Sequence, residues 1–260
     1  MCWNADVSLN TFLFSGFVLL LIMYNNQYTK YKIQEFNNKW MYVFIASFIS
    51  IQLIEYFIWK NINNPYYNNI FSICIILLLL FQPVASLMLL SNIQLRNKLL
   101  MLYLFLSIPY SIYKISTIHL SSVISQNGHL RWNFENKAPV IISWMVFFLF
   151  SPFYEKLWFP LIFGISTLII SFINYQKEDT YTSMWCWLAN FSMIYYAMYL
   201  LIYLPFLENK SICWTRSKIT GTTLHSCVAI CCRKSQGVPC IPVSPQRLVK
   251  RRIITGRNRL

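Results

Sequence analysis

The sequence predicts an all-α fold: a polytopic membrane protein, built as a seven-transmembrane helix bundle with its N-terminus outside. Of its 260 residues, 57% are hydrophobic and only 12% are charged, whereas about a quarter of the residues in a typical soluble domain are charged. The hydrophobic residues form seven long apolar runs separated by polar segments. With the N-terminus outside, 17 Lys and Arg residues lie on the cytoplasmic side and 5 on the other, and 11 of the 17 follow the seventh run. This asymmetry predicts the orientation.

Each run approaches the roughly 20 residues that a helix needs to cross a hydrocarbon core of about 30 Å. The predicted spans are residues 7–24, 40–59, 70–90, 99–113, 139–154, 157–173 and 184–207. The fourth run is short unless it continues past Lys114, whose long side chain reaches the interface. Only Glu155 and Lys156 separate the fifth run from the sixth, so these two runs form either a tight helical hairpin or a partly re-entrant segment. Membrane β-strands would alternate apolar and polar residues, which these runs do not.

Basic residues place the connections after the first, third and fifth runs in the cytoplasm. Lys30, Lys32 and Lys39 follow the first run, and Arg96 and Lys98 follow the third. The segment before the first run contains neither Lys nor Arg. We therefore expect the first run to be an uncleaved helix that begins outside.

Residues 211–260 differ in composition from the predicted membrane domain, residues 1–210. They contain ten of the 22 Lys and Arg residues, none of the eight acidic residues and five of the eight cysteines. No periodic apolar pattern is present, so this region is predicted to be a disordered cytoplasmic tail. Its basic clusters suit anionic lipid headgroups, at about 1 kcal/mol per basic residue near the surface. Two other interpretations stay open, namely a zinc site without paired Cys-x-x-Cys spacing and a tail foreign to the rest of the protein.

Polar residues inside the predicted spans mark a candidate functional site. A charged group at membrane depth costs at least a few kcal/mol, and Glu55 is the only acidic residue in the interior of a predicted span. Gln52 lies three residues before Glu55 and so shares its helical face. Asn190 and Tyr110 lie at comparable depths in other spans. The four residues are a candidate ligand or proton site that opens outward, and the alternative is that Glu55 and Asn190 are structural contacts between helices.

Proline and tryptophan positions give two further predictions. Gln82 and Pro83 in the third span predict a helix kink whose freed backbone carbonyl is satisfied by a neighbouring helix. Trp residues near the ends of spans, among them Trp144 and Trp185, are typical of anchors at the membrane interface.

The longest outer loop predicts a short hairpin. It contains Asn127 and Gly128, a turn signal, followed by His129, Arg131 and Trp132. This loop is a candidate lid or partner-binding segment, and the alternative is a structural cap over the bundle.

Several classes of membrane enzyme need residues that the predicted spans lack. The three histidines lie outside these spans, which argues against a membrane zinc hydrolase or a serine protease with a histidine base. We therefore expect no catalytic residues, no metal, no cofactor and no nucleic-acid partner. Two functions remain: transport of a small solute, an ion or protons with Glu55, or a receptor-like or structural role without transport.

Four segments together resemble an uncharacterised family of seven-helix membrane proteins found in large DNA viruses and protists. They are QLIEYFIW (52–59), QP (82–83), GHLRW (128–132) and SMWCW (183–187). The resemblance covers about residues 5–207 and excludes the basic tail. It implies a seven-helix fold and a host-cell or virion membrane, and it implies no activity.

Overall fold

The computed structural model describes residues 4–117, 120–133 and 138–207. Within these ranges the protein is mostly helical, with one two-stranded sheet. The chain divides into two units, Met1–Pro205 and Phe206–Leu260. The sites described below lie in the first unit. The predicted tail, residues 211–260, lies outside the described residues together with its lipid-binding and zinc interpretations.

All seven apolar runs are helical, with ends shifted by a few residues from the predicted ones. The helices are α1 (Ala5–Tyr28), α2 (Lys39–Lys60), α3 (Pro65–Leu87), α4 (Ile93–Thr117), α5 (Ala138–Tyr154), α6 (Trp158–Tyr175), α7 (Tyr181–Ala189) and α8 (Ser192–Met198). A π-helical turn, Tyr199–Tyr203, continues α8. The helix α4 runs past Lys114, as the longer alternative for the fourth run requires.

Six of the described helical stretches are long and apolar enough to cross a membrane, with α7 and α8 counted as one stretch, Tyr181–Leu207. The shorter α5 has 17 residues, which extend over about 25 Å at a rise of 1.5 Å per residue. Helix length and composition therefore support the prediction of a helical membrane protein.

The turn between α5 and α6 is the tight helical hairpin that the sequence allowed. Lys156 adopts a left-handed backbone conformation with φ of 57°, and the N–H of Leu157 donates to the carbonyl of Pro152 at 2.9 Å, a bond that often closes a helix. The carboxylate of Glu155 accepts hydrogen bonds from the backbone N–H and the hydroxyl of Ser91, at 2.6 and 3.0 Å. This turn is thus tied to the turn between α3 and α4.

Pro83 interrupts the backbone hydrogen bonds in the middle of α3. Because proline has no N–H, the carbonyl four residues earlier, that of Leu79, loses its helical donor. The indole N–H of Trp144 in α5 donates to this oxygen at 2.7 Å, and the hydroxyl of Tyr103 in α4 donates to the next carbonyl, that of Leu80, at 2.8 Å. Neighbouring helices thus supply donors to the carbonyl that Pro83 frees and to the carbonyl after it.

Pro152 likewise removes a backbone hydrogen bond within α5, and here α3 supplies the donor to α5. It frees the carbonyl of Phe148, which accepts a hydrogen bond from the hydroxyl of Ser86 in α3 at 2.6 Å. Each helix of the α3–α5 pair therefore supplies the donor that the proline of the other helix makes necessary. In a bilayer core, where no water replaces a missing donor, this exchange lets both prolines be tolerated.

Trp144 and Trp185 belong to the core of the bundle, so their prediction as interfacial anchors is wrong. The ring of Trp144 stacks on Phe148 with centroids 4.8 Å apart. Trp185 meets the rings of Trp144 and Phe148 edge-on, at 5.9 and 6.0 Å, and its indole N–H donates to the carbonyl of Gly164 in α6 at 3.0 Å. Because these indole N–H groups bond to backbone carbonyls of other helices, they do not need the membrane surface.

The structure confirms the predicted hairpin in the loop after α4. Its antiparallel strands are β1 (Ser122–Ile124) and β2 (Leu130–Trp132). Gly128 in the turn has φ of 76°, which glycine adopts without a steric penalty. Leu120, Leu130 and Trp132 are buried against residues of α2, α3 and α7. We call the end of the bundle that carries this hairpin the hairpin end.

Replacing Trp144 with phenylalanine removes the donor to Leu79 and keeps an aromatic ring in the core. We expect Trp144→Phe to lower the free energy of unfolding by about 1 kcal/mol, within the range of hydrogen bonds between membrane helices. In a Pro83→Ala background the restored backbone N–H serves the same carbonyl, so the substitution should cost less there. A double-mutant cycle, measured by circular dichroism during unfolding in mixed micelles, tests this. Trp158→Phe, at a ring that is 52% exposed, is the control, and equal costs in both backgrounds would contradict the assignment.

Candidate functional site

Glu55, Gln52 and Ser183 form a fully buried polar cluster between α2 and α7. All three side chains are 0% exposed. The amide Nε2 of Gln52 donates to Oε2 of Glu55 at 3.0 Å, and the hydroxyl of Ser183 donates to Oε1 at 2.6 Å. Because Glu55 lies five residues before the end of α2, the cluster is about 8 Å from the hairpin end of that helix at 1.5 Å per residue.

Sequence spacing predicts that Gln52 lies beside Glu55, but it does not predict Ser183 as a second partner of the carboxylate. Spacing along one helix identifies the first pair, whereas Ser183 is brought in by the packing of α7 against α2. The two hydrogen bonds on the carboxylate hold these helices together, as the structural-contact alternative requires. They also place a titratable group at membrane depth between two helices.

Tyr110 and Asn190 do not belong to the cluster around Glu55. Tyr110 lines a cavity at the hairpin end, where its ring centroid is 6.0 Å from Nζ of Lys114. Asn190 lies at the break between α7 and α8, and it lines a groove against α1. The four residues predicted to share one outward-opening pocket are therefore distributed over three sites.

The cavity at the hairpin end has a volume of about 220 Å³ and lies among α3, α4, α5, α6, α7 and β2. Most of its wall consists of apolar and aromatic side chains, including Trp132, Trp144 and Trp185. Its polar groups come from Tyr110, Lys114, Asp179, Tyr181, Thr182 and Cys186. A mostly apolar cavity with a few placed polar groups is the usual form of a small-molecule site.

Lys114 and Asp179 are the two charged residues among those that line this cavity. Lys114 comes from α4 and is only 7% exposed. Asp179 lies in the turn between α6 and α7, in a left-handed conformation with φ of 57° that Asp tolerates better than most residues. One cationic and one anionic group within an apolar wall suit a small solute with polar groups of both kinds.

Hydrogen bonds fasten the hairpin to α3. Asn68 exchanges two bonds with the backbone of Ser122: its amide donates to the carbonyl and its oxygen accepts from the N–H, both at 2.9 Å. Asn69 donates to the carbonyl of Leu120 at 2.8 Å. The asparagine side chains thus pair with β1 as a neighbouring strand would.

A second set of bonds fastens the hairpin to the turn between α6 and α7. The hydroxyl of Ser125 donates to the carbonyl of Glu178 at 3.2 Å, and the amide of Asn127 donates to the hydroxyl of Thr180 at 3.1 Å. Trp132 of β2 is part of the cavity wall. The hairpin is therefore tied on two sides, as a structural cap would be, and it also closes part of the cavity.

The other predicted loop residues lie at the edge of this cap. His129 is 8% exposed and its ring packs edge-on against Tyr175, with centroids 5.3 Å apart. Burial lowers the pKa of His129 below its ordinary value of 6.5, so the ring is neutral at pH 7. Arg131 pairs with Val123 in the hairpin and is half-buried.

Gln82, predicted with Pro83 as part of a kink, is fully buried in α3. Neither its amide nitrogen nor its oxygen has a hydrogen-bond partner among the described residues. Burying an unsatisfied amide costs stability. The structure explains Pro83 by the bond from Trp144 to the carbonyl of Leu79. It does not explain why the Gln82 side chain is buried.

Two kinds of evidence that could identify the site are lacking: a cluster of metal ligands among the described residues and a similar protein of known function. Among the described residues, no group of three or more His, Cys, Asp or Glu side chains is arranged to hold a metal ion. Comparison of the chain with protein-family models, curated proteins and solved structures finds no match.

Glu35 at the opposite end of the bundle gives a pH-dependent prediction. Its carboxylate accepts a hydrogen bond from the hydroxyl of Tyr196 in α8 at 2.5 Å. Burial raises the pKa of Glu35 above its ordinary value of 4.5, and the Tyr196 bond offsets part of this rise. A raised pKa in the folded state means that the protonated form stabilises the fold below pH 4.5 and that this contribution is lost as the pH rises through the folded-state pKa.

The neutral variant Glu35→Gln keeps an acceptor for Tyr196 and does not titrate. We expect its melting temperature to exceed that of the wild type at pH 7.5 by more than it does at pH 4.5. Thermal unfolding in detergent at both pH values measures the difference. A difference that does not change with pH would contradict the prediction.

Proposed function

We propose that this chain is a seven-span integral membrane protein, with its N-terminus outside, which binds a small solute in the capped cavity and transports it with proton coupling. The observation that carries this proposal is the cavity itself, where Lys114 and Asp179 stand in an otherwise neutral wall beneath the hairpin. Lys114 is only 7% exposed whereas Asp179 remains exposed at the edge of the cavity. A purely structural bundle gains nothing from burying the lysine, because a buried charge loses hydration.

Interrupted helices favour transport over a static role. Of the helices that line the cavity, α7 is discontinuous: it ends at Ala189 before the chain resumes as α8. Three others, α3, α4 and α5, each contain a proline. Discontinuous helices that meet at a central site are a common feature of secondary transporters.

The position of Glu55 supports proton coupling. Its partner Ser183 lies one turn before Cys186, which lines the cavity. An ionised carboxylate accepts both observed hydrogen bonds, whereas a protonated one must donate. The oxygen Oε1 of Gln52 has no partner among the described residues, and rotation of the amide would offer it to a protonated Glu55. Two protonation states are thus compatible with the same three side chains, and the bond from Ser183 ties α7 to the group that changes its charge.

Proton flux in proteoliposomes tests the proton-moving step of this proposal. We expect wild-type protein to acidify or alkalinise the vesicle lumen under an imposed gradient, with the flux rising when the correct solute is present. Glu55→Gln should abolish the proton movement. Asp6→Asn, at an exposed carboxylate in the first turn of α1, is the matched control. Unchanged flux in Glu55→Gln would remove Glu55 from the mechanism.

A receptor-like or structural role is the second candidate function. The hydrogen bonds that tie the hairpin on two sides favour it, since a fixed cap blocks passage from that side. The absence of flux under every gradient, with the protein folded, would favour this alternative.

Contacts along α5 support seven spans. Two hydrogen bonds join α5 to α3, Trp144 to Leu79 and Ser86 to Phe148. A third joins the turn that follows α3 to the turn that follows α5, from Ser91 to Glu155. The order of these contacts shows that the two helices run in the same direction. Since α3 is long enough to cross the membrane, α5 crosses beside it, and local thinning of the bilayer accommodates its shorter length.

Glycosylation mapping tests the orientation. His129→Thr completes an Asn-x-Thr acceptor at Asn127 in the hairpin, and Tyr28→Thr completes one at Asn26 at the other end of the bundle. We expect a mass shift that is sensitive to glycosidase only for His129→Thr, because the hairpin end faces outside. A shift only for Tyr28→Thr would show the inverted orientation.

Three proposals concern the surroundings of the protein. The bilayer is its main partner, and residues 211–260 bind anionic headgroups through their Lys and Arg residues. The resemblance to the viral and protist family supports a host-cell or virion membrane.

A further inference from the structure

A second polar site lies on the side of the bundle, away from the capped cavity. It is a groove of about 230 Å³ between α1 and the break that separates α7 from α8. Its polar lining residues are Asn10, Thr11, Ser15 and Asn190. Its exposed rim consists of Asn10 and the apolar side chains of Phe14, Phe191 and Ile194. Every residue that lines it is uncharged, so its chemistry is that of hydrogen bonds.

Asn190 presents a fixed acceptor to this groove. Its Nδ2 donates to the carbonyl of Cys186 at 2.8 Å, and because a carbonyl only accepts, this bond fixes the orientation of the amide. The remaining oxygen, Oδ1, is buried and has no partner among the described residues, and the residue is only 5% exposed. Ser15 also has an unpartnered hydroxyl and is 0% exposed. A donor from outside the chain would satisfy Asn190.

Asn10 presents an unused donor at the lip of the same groove. Two other asparagines of the bundle are satisfied locally: Asn61 and Asn174 donate to carbonyls of their own helices at 2.8 and 2.7 Å. Asn10 makes no such bond among the described residues and is exposed. A bare amide that faces lipid is costly, so Asn10 also calls for a partner.

The exposed face of α1 has the spacing of a helix-pairing surface. With Asn10 it comprises Leu13, Phe17, Leu20 and Tyr24, at alternating intervals of three and four residues, and these four are more than half exposed. This is the pattern of paired helices, in which one polar residue in the seam sets the register. A Cβ added at Gly16 would meet nothing within 4 Å, so a neighbouring helix has room to approach there.

We propose that a second copy of this chain occupies the groove, with the Asn10 amide of each copy donating to Asn190 Oδ1 of the other. The groove contains the acceptor and its lip contains the donor. A two-fold axis along the membrane normal therefore forms two equivalent hydrogen bonds, and both groups are satisfied in each copy. The bond from the indole N–H of Trp187 to the hydroxyl of Thr11, at 3.2 Å, sets the relative depth of α1 and α7. From it, Asn10 and Asn190 differ by about 6 Å along the axis at 1.5 Å per residue, which two asparagine side chains can span.

Subunit counting by single-molecule photobleaching tests this proposal on the full chain in liposomes of phosphatidylcholine. We expect wild-type protein to pass from monomer to dimer as the protein-to-lipid ratio rises. Asn10→Leu and Asn190→Leu should each weaken the dimer about tenfold, since two hydrogen bonds of this kind are lost. Because each change breaks the same pair of bonds, the double variant should be no weaker than either single variant.

Asn174→Leu is the matched control, because it removes an exposed asparagine with a local bond and lies outside the groove. Asn10 is exposed and bonds to none of the described residues, so Asn10→Leu decides the question even if Asn190→Leu folds poorly. Monomers at every ratio would overturn the proposal, as would dimers that Asn10→Leu leaves unchanged or losses that add in the double variant. Recovery of a monomer with a hydroxyl-bearing lipid bound in the groove would also overturn it.

Discussion

The fold depends on one constraint: within a bilayer, each backbone carbonyl and N–H must find its partner inside the protein. The exchange between α3 and α5 shows how this chain meets the constraint where two prolines remove donors. Trp144 serves the carbonyl of Leu79, and Ser86 serves that of Phe148. Because Leu79 and Trp144 also line the capped cavity, the bond that repairs the helix also shapes the candidate site.

The helix α7 connects the separate sites of the bundle. Within five residues it bonds to α2 through Ser183, to α6 through Trp185 and to α1 through Trp187, while Cys186 faces the cavity. The break at Asn190 follows directly. A change in the protonation of Glu55 would act on this helix at its first turn, and the cavity, the aromatic core and the groove against α1 would all be affected.

Sequence reasoning predicted what depends on neighbours along the chain and missed what depends on neighbours in space. The apolar runs, the turn at Gly128, the Gln52–Glu55 pair and the effect of Pro83 are local, and each is present. Depth in the membrane is also readable from the sequence, but the direction in which a side chain points is not, so residues at similar depth were assigned to one pocket. For the same reason Ser183 was missed as the partner of Glu55.

The bonds that hold the hairpin join residues far apart in the chain: Asn68 precedes Ser122 by 54 residues, and Glu178 follows Ser125 by 53. During synthesis the α3 side of the hairpin can dock as soon as β1 has emerged. The other side must wait until the turn before α7 has been made. The second side of the hairpin can therefore dock only after all six helices from α1 to α6 have been made, because Glu178 and Thr180 follow the end of α6. The last step that closes the cavity is thus the pairing of the hairpin with the turn before α7.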